Sequence, residues 1–226
     1  MLRPDLADGR WRSSVHLPLT PILSAAADAF SEQGYHATSV RDIAARVGVT
    51  VPALYYHHAN KEAILFALQD HSIDWLSDLC LAALADEQTP PRRFFNLVEA
   101  IVLYMTNSTR LASLDNEIKS LSPEHHRTYA SKRRRIETLL ADEVRAGAAE
   151  GSFEVTSAEV TARALLGMFQ AIAVWYDPGG PVTPEELAAQ YVDVAAHTVG
   201  ARSDGARRGR SPSPVAGLAA RDGQRS

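Results

Sequence analysis

Apolar positions recur along this chain at three- and four-residue spacing, punctuated by glycine and proline, and almost nowhere alternate with period two. That pattern predicts an all-α protein of about nine helices. Thr20-Pro21 supplies an N-cap followed by proline at the first helical position. Ile22, Ala25, Ala26, Ala29 and Phe30 then form one apolar face, closed by Gly34. Ser39 precedes a short helix ending at Val47 and stopped by Gly48, and Thr50 opens another through about Tyr56. Asn60 caps a long helix from Lys61 to about Ala85. Thr89-Pro90-Pro91 starts one reaching about Asn107, followed by a shorter piece over Arg110–Leu121. A long charged helix is expected from Pro123 to Glu150, and another, capped by Thr156 or Ser157, to Trp175. Thr183-Pro184-Glu185-Glu186 is a capping signature for the last, ending near Gly200. Residues 1–18 read as a flexible arm. Residues 201–226, rich in Gly, Ser, Pro and Arg, read as a disordered basic tail.

Composition narrows the class. The chain has 226 residues, 46% apolar and 22% charged, enough to bury a substantial core in one or two domains. A single cysteine, Cys80, excludes a disulfide scaffold and a cysteine-based zinc site. No apolar run reaches the roughly 18 residues of a membrane span, and the first residues lack the apolar core of a signal peptide. A cytoplasmic protein with no membrane partner is expected. The net charge of −4 is unevenly spread. Residues 1–62 carry six basic and six acidic groups, residues 63–200 eleven against nineteen, and the tail six arginines against Asp204 and Asp222. Phosphate would be repelled by the middle section, so nucleic-acid contact belongs to the first third or the tail.

Ile43 to Tyr56 reads as helix, tight turn, helix. Ile43, Ala44, Val47, Val49 and Leu54 are the small apolar set that packs two short helices steeply, and Gly48 supplies the positive-φ corner. The second helix offers Thr50, Val51, Pro52 and Ala53 at its start, small enough to approach base edges. At its far end Tyr55, Tyr56 and His57 can reach phosphates. Outside this context Tyr55 and Tyr56 would read as half-buried aromatics. His57-His58 lacks a third ligand nearby, so no metal is expected.

The run Gly34-Tyr35-His36-Ala37-Thr38-Ser39-Val40-Arg41-Asp42-Ile43-Ala44, then Gly48-Val49-Thr50-Val51-Pro52-Ala53-Leu54-Tyr55-Tyr56-His57, then Lys61-Glu62-Ala63-Ile64-Leu65, resembles the DNA-binding domain of TetR-type repressors over roughly residues 19–66. The resemblance implies an N-terminal helix-turn-helix domain at 19–66 and an effector-binding and dimerisation domain at 67–200. It implies a homodimer on double-stranded operator DNA, released by a small hydrophobic molecule and needing no cofactor. Position by position it puts Thr38 or Ser39 on a phosphate, Tyr55, Tyr56, His57 and Lys61 on the DNA backbone and Thr50, Val51, Pro52 and Ala53 on bases, with Arg41 a further DNA contact. With Val51 and Pro52 in that set, contact with thymine methyls is expected to carry part of the specificity. Arg10 and Arg12 of the arm are either further contacts or a solvated tail. One departure stands out: His58 occupies the place of the family's usual phenylalanine, which packs into the small domain's core.

In the second domain the last two helices have strong apolar faces, and the resemblance makes them the dimer interface: Leu165, Leu166, Phe169, Ile172, Ala173, Leu187, Tyr191 and Val194. The alternative is that these residues fill the protomer's own core. A mostly apolar pocket is expected among the middle helices, lined by Phe95, Leu103, Tyr104, Met105, Leu114, Tyr129, Met168, Phe169 and Trp175. Lys132-Arg133-Arg134-Arg135 covers most of a helix's circumference, so at least one of the four must turn inward. Arg133 and Arg134 are candidates for a phosphate-binding patch at the pocket mouth, suiting a coenzyme A thioester; the plain alternative is a solvated cationic face. Trp175-Tyr176-Asp177-Pro178-Gly179-Gly180 is also similar to a stretch in TetR-type regulators of lipid and sterol catabolism, several of which respond to acyl-CoA.

Two other classes compete. A multidrug-efflux regulator would sense lipophilic cations, for which Glu99, Asp115 and Glu117 are available. An all-α enzyme would need a phosphate loop, a nucleophile elbow or clustered metal ligands, and the chain shows none.

Overall fold

Helix caps fix most of the architecture. In the computed structural model, which describes residues 3–13 and 17–202, the described residues form nine α-helices and no strand. Thr20 caps α1 (Pro21–Gln33) by accepting from the Leu23 amide. Ser39 and Asp42 form a reciprocal capping box at the start of α2 (Val40–Val47), and Gly48 at φ 76° ends it. Thr50 caps α3 (Val51–His57) and Asn60 caps α4 (Lys61–Ala85). Together α1 to α3 and the first turn of α4 enclose a small core of Ala26, Ala29, Phe30, Ile43, Ala44, Leu54, Ile64 and Leu65.

Beyond this head, α4 continues into a bundle with α5 (Pro90–Asn107), α7 (Pro123–Ala149), α8 (Ala158–Trp175) and α9 (Pro184–Thr198). α5 is the central helix, packed against α4, α7, α8 and α9 and buried from Phe94 through Thr106 apart from Phe95 and Glu99. The piece expected over Arg110–Leu121 is a single α-turn, α6 (Thr109–Ala112), followed by a 3₁₀ segment, Ser113–Ser120. Ser122, which caps α7, ends it. At the other end of α7, Gly147 lets Phe153 lie against the helix, where a β-carbon would come within 2.2 Å of the ring.

Over residues 3–13 the flexible arm expected from the sequence gives way to a docked strap. Two short 3₁₀ turns carry Leu6 and Trp11 into full burial beside α4 and α5. Trp11 Nε1 donates to Asp86 at 2.7 Å, and the Gly9 amide donates to the same carboxylate at 3.2 Å. Arg3 lies over the Trp75 ring, and further up α4 the His71 imidazole meets the Pro18 carbonyl at 3.0 Å. Two large apolar side chains and the carboxylate of Asp86, at the C-terminal end of α4, hold this segment in place, which its polar composition concealed. The basic tail lies outside the described residues beyond Arg202.

Candidate nucleic-acid interface and internal cavity

The face built by α3 is small and mostly uncharged. Leu54 turns fully inward, and Val51 is half-buried against the head's core, so of the four residues expected at bases Thr50, Pro52 and Ala53 stand exposed and Val51 only partly. Tyr55 and Tyr56 are 49% and 88% exposed, and His57 is exposed beside them with its ring edge-on to Tyr56. Exposure on this scale excludes the half-buried reading of Tyr56. Ser39 and Arg41 are also exposed at the start of α2.

Two expected phosphate contacts are spoken for within the protein. Thr38 is buried, and its hydroxyl donates to the Ala29 and Gly34 carbonyls, tying the α1–α2 loop to α1. Lys61 sends its ammonium to the carbonyls of Tyr35, His36 and Thr38 at 2.8, 3.3 and 2.9 Å, over the Tyr35 ring. An ammonium has three donors, and all three are used. Arg46 pairs with Glu32 at 2.6 Å. Arg41 is therefore the one cation of residues 19–66 without an ion-pair or hydrogen-bond partner among the described residues. The strap's arginines are engaged as well. Arg12 bonds Glu99 and Asn96, and Arg10 bonds the Ala7 and Pro4 carbonyls. His58 is half-buried, and burial, with His57 beside it, lowers its pKa.

The bundle contains a cavity of about 450 Å³ between α4, α5, the 3₁₀ segment, α7 and α8. Its apolar lining comes from Ile73, Leu76, Ile101, Met105, Ile118, Ile136 and Leu166, and its polar lining from Asp115, Arg133, Arg134, Glu137, Arg163 and Gln170. Among the residues expected in a pocket, Met105, Arg133 and Arg134 line it. Tyr129 is one step behind, its hydroxyl donating to Asp115, and Tyr104 bonds Ser72 behind that. Leu103 and Leu114 are buried in the surrounding core. Phe95 instead joins Phe94 and Phe153 in an aromatic cluster at the far end of α7, and Phe169 packs on Tyr191 between α8 and α9. Met168 lies half-buried against the core outside the lining, and Trp175 is 53% exposed. Sequence reasoning left the isoleucines out of the pocket because it looked to aromatics, leucine and methionine, and it gave Asp115 only to the cation-sensing alternative. The signal was available on α7, where Tyr129, Arg133, Ile136 and Glu137 follow one face.

The four-cation run divides around α7. Lys132 turns to Asp70 and Asp74 of α4. Arg133 faces the cavity, and Arg134 sits at its rim, also bordering an outer groove of about 300 Å³ with Arg135, Thr138 and Leu81. Burial pushes the Asp115 carboxyl upward, against the Tyr129 bond and the Arg133 charge. Arg163 is matched by Glu137 at 2.7 Å.

At the cavity's lower end the bundle grips the head. The N-terminus of α7 holds Glu62 of α4: the Ser122 amide donates to its Oε1 at 2.8 Å, and His125 Nδ1 meets the same oxygen at 2.8 Å. Burial pushes the Glu62 carboxyl up, but the Ser122 and His125 contacts outweigh it and hold it below its usual range. The His125 ring stacks on Phe66 at 3.8 Å. Arg110 of α6 pairs with Asp28 of α1.

The dimerisation residues expected on α8 and α9 split by facing. Leu165, Phe169, Ile172 and Leu187 are buried within the protomer, filling its own core; Leu166 lines the cavity, and Ala173 and Tyr191 are half-buried. Val194 is outward, together with Val160, Val174 and Trp175, which leaves an exposed apolar strip along α8 and α9.

An all-α head with an exposed helix-turn-helix, joined by one long helix to a bundle with a part-apolar cavity, defines a ligand-responsive DNA-binding regulator as a class. Comparison with known proteins gives the family. Residues 22–68 match the family model for bacterial regulatory proteins of the tetR family, and residues 87–199 match the tetracyclin repressor-like C-terminal domain. The chain belongs to the TetR family. It is similar to the HTH-type transcriptional repressor KstR2 of Rhodococcus jostii, 30% identical over 181 residues that cover 77% of this chain and 87% of that protein. In structure it is similar to the TetR-family regulator PfmR of Thermus thermophilus, with a TM-score of 0.73 at 33% identity, covering 78% of this chain and 97% of that one. It is likewise similar to AibR in complex with isovaleryl coenzyme A and operator DNA, with a TM-score of 0.71 at 27% identity, covering 76% and 95%. The chain is a DNA-binding transcription regulator of this family and not an enzyme.

Proposed function

We propose that this protein is a cytoplasmic repressor that binds a palindromic operator as a homodimer and leaves it when an acyl-CoA thioester enters the cavity. The observation that carries the effector reading is the lining of the cavity: an apolar body with three arginines, Arg133, Arg134 and Arg163, against two acids, Asp115 and Glu137. Arg163 and Glu137 satisfy each other and Arg133 opposes Asp115, which leaves Arg134 at the rim as a cation without an ion-pair partner among the described residues. An amphiphilic anion suits that arrangement, with its acyl part inside and a phosphate at the rim. A lipophilic cation does not, which disfavours the drug-sensing alternative. The likeness to AibR, whose structure contains isovaleryl coenzyme A, and to the KstR2 repressor supports the same reading.

DNA is read by Thr50, Pro52 and Ala53 at base edges, with Ser39, Arg41, Tyr55, Tyr56 and His57 on the backbone and the edge of Val51 at a methyl group. Release is a population shift. A ligand that parts α7 from α4 displaces the α7 N-terminus, and Glu62 transmits the displacement to the first turn of α4, directly behind α3. In a dimer this alters the separation of two recognition helices that must stay near the roughly 34–36 Å of one DNA turn.

The test is an electrophoretic mobility shift on the DNA upstream of the protein's own gene, with a panel of acyl-CoA thioesters. Release by a thioester at concentrations where free coenzyme A does nothing is the expected result. Binding that every thioester leaves intact overturns the effector reading, and release by lipophilic cations instead would install the drug-sensing alternative.

A further inference from the structure

The cavity contains a polar device that an acyl-CoA site of purely apolar depth has no use for. Asp115 lines it from the 3₁₀ segment, facing isoleucine and methionine side chains. Tyr129 donates its hydroxyl proton to Asp115 Oδ1. Oδ2 has no hydrogen-bond partner among the described residues. Behind this pair the Ser72 and Tyr104 hydroxyls bond each other, and Gln69, only 2% exposed, gives its amide nitrogen to the Leu114 carbonyl at 2.7 Å while its Oε1 stays unpartnered. Polar groups placed this deep cost desolvation unless something satisfies them, and leucine or phenylalanine at the same positions would make a greasier pocket without that cost. The free carboxylate oxygen is an acceptor waiting for a donor, and Arg133, which lines the same cavity from α7, is a donor for an adjacent oxygen.

We propose that Asp115 is the specificity-determining residue of the effector cavity, accepting a hydrogen bond at Oδ2 from a hydroxyl group on the effector's otherwise apolar acyl chain, with Arg133 donating to the neighbouring carbonyl oxygen. The effector class is then a hydroxyacyl thioester in preference to a saturated one. This rests on the cavity being the acyl-CoA site proposed above. A site built around a hydroxyl discriminates strongly against the analogue lacking it, because the protein's own buried group is then left unpaired.

The experiment is titration calorimetry with hexanoyl-CoA and 3-hydroxyhexanoyl-CoA on the wild-type protein and on Asp115→Leu, with operator binding as the control for folding. We expect the wild type to bind the hydroxylated thioester at least about tenfold more tightly, and Asp115→Leu to bind the two alike or to prefer the saturated one. If Asp115→Leu fails to bind operator, Asp115→Ala decides by the same ratio. Equal affinity of the wild type for both thioesters overturns the proposal and leaves the acyl-CoA reading intact. A preference that survives in the Asp115 variants also overturns it. If the wild type binds neither thioester, the acyl-CoA reading falls, and this proposal falls with it.

Discussion

Two residues of the reading head show how much a single contact redirects a side chain. Lys61 occupies a position that resemblance assigns to DNA phosphate, yet three backbone carbonyls hold its ammonium. A single charge-assisted bond contributes roughly 1.5–3 kcal/mol, and solvent screens this half-buried group, so Lys61→Met should destabilise the head by about 2 kcal/mol in a denaturant melt. A phosphate contact predicts something different: unchanged stability with the salt slope of operator binding reduced by about one. His58 is the converse case, an imidazole where the family usually has phenylalanine. Burial lowers its pKa, so the unfolded chain takes up the proton first as the pH falls. The folded head is therefore penalised progressively on going below the ordinary histidine range near 6.5. His58→Phe should raise the melting temperature at pH 7.5 and raise it more at pH 5.5; a gap that narrows on acidification would contradict the assignment.

The strap and α7 carry the chemistry that links the two halves. Residues 3–13 wrap the C-terminal end of α4 through Leu6, Trp11 and the Asp86 carboxylate. Truncating a fully buried aromatic costs about 3–5 kcal/mol, so Trp11→Ala should lower the thermal midpoint sharply while leaving the helical content of the folded protein unchanged. A midpoint that does not move would restore the free arm. Along α7, His125, Tyr129 and Arg133 recur every fourth residue and meet in turn Glu62, Asp115 and the cavity. A helix is stiff over two turns, so one face of α7 connects the cavity to the head. Glu62→Gln keeps the size of the side chain but weakens its grip on His125. The expected outcome is operator binding close to wild type with release by effector shifted to higher concentration, measured by mobility shift.

For the whole molecule, α8 and α9 leave an apolar strip uncovered, with Val174 77% and Trp175 53% exposed. An exposed apolar strip on two helices that both pack on α5 suits the isologous contact of a C2 dimer. Val174→Arg at that surface should yield monomers in sedimentation and lose operator affinity without loss of fold. Charge acts at the same scale. With Lys61 and Arg46 engaged, Arg41 is the head's free cation among the described residues, so few phosphates are neutralised per protomer and operator binding should depend shallowly on salt. Truncation after Gly200 measures what the arginine-rich tail adds: an unchanged slope assigns it no role at the operator.

The chain's own pattern determined the helices, because caps, prolines and positive-φ glycines act locally, within three or four residues. Thr20, Ser39, Thr50, Asn60, Ser122, Ser157 and Thr183 each accept from a backbone amide where the start of a helix was expected. The reading helix was legible for the same reason, since Gly48 and Leu54 fix its geometry from within. The direction each side chain takes was decided only in three dimensions. Whether Arg133 faces a cavity and Arg135 the solvent depends on how α7 is rotated against α4, and the four-residue cation run carries no information about that rotation. Leu165 and Phe169 look like an interface on a helical projection but are buried within the protomer, Phe169 against Tyr191 of α9. Trp11 looks like part of a tail until Asp86, 75 positions away, receives its indole proton. Local rules place elements; burial and pairing between distant elements decide which of their residues are left free to act.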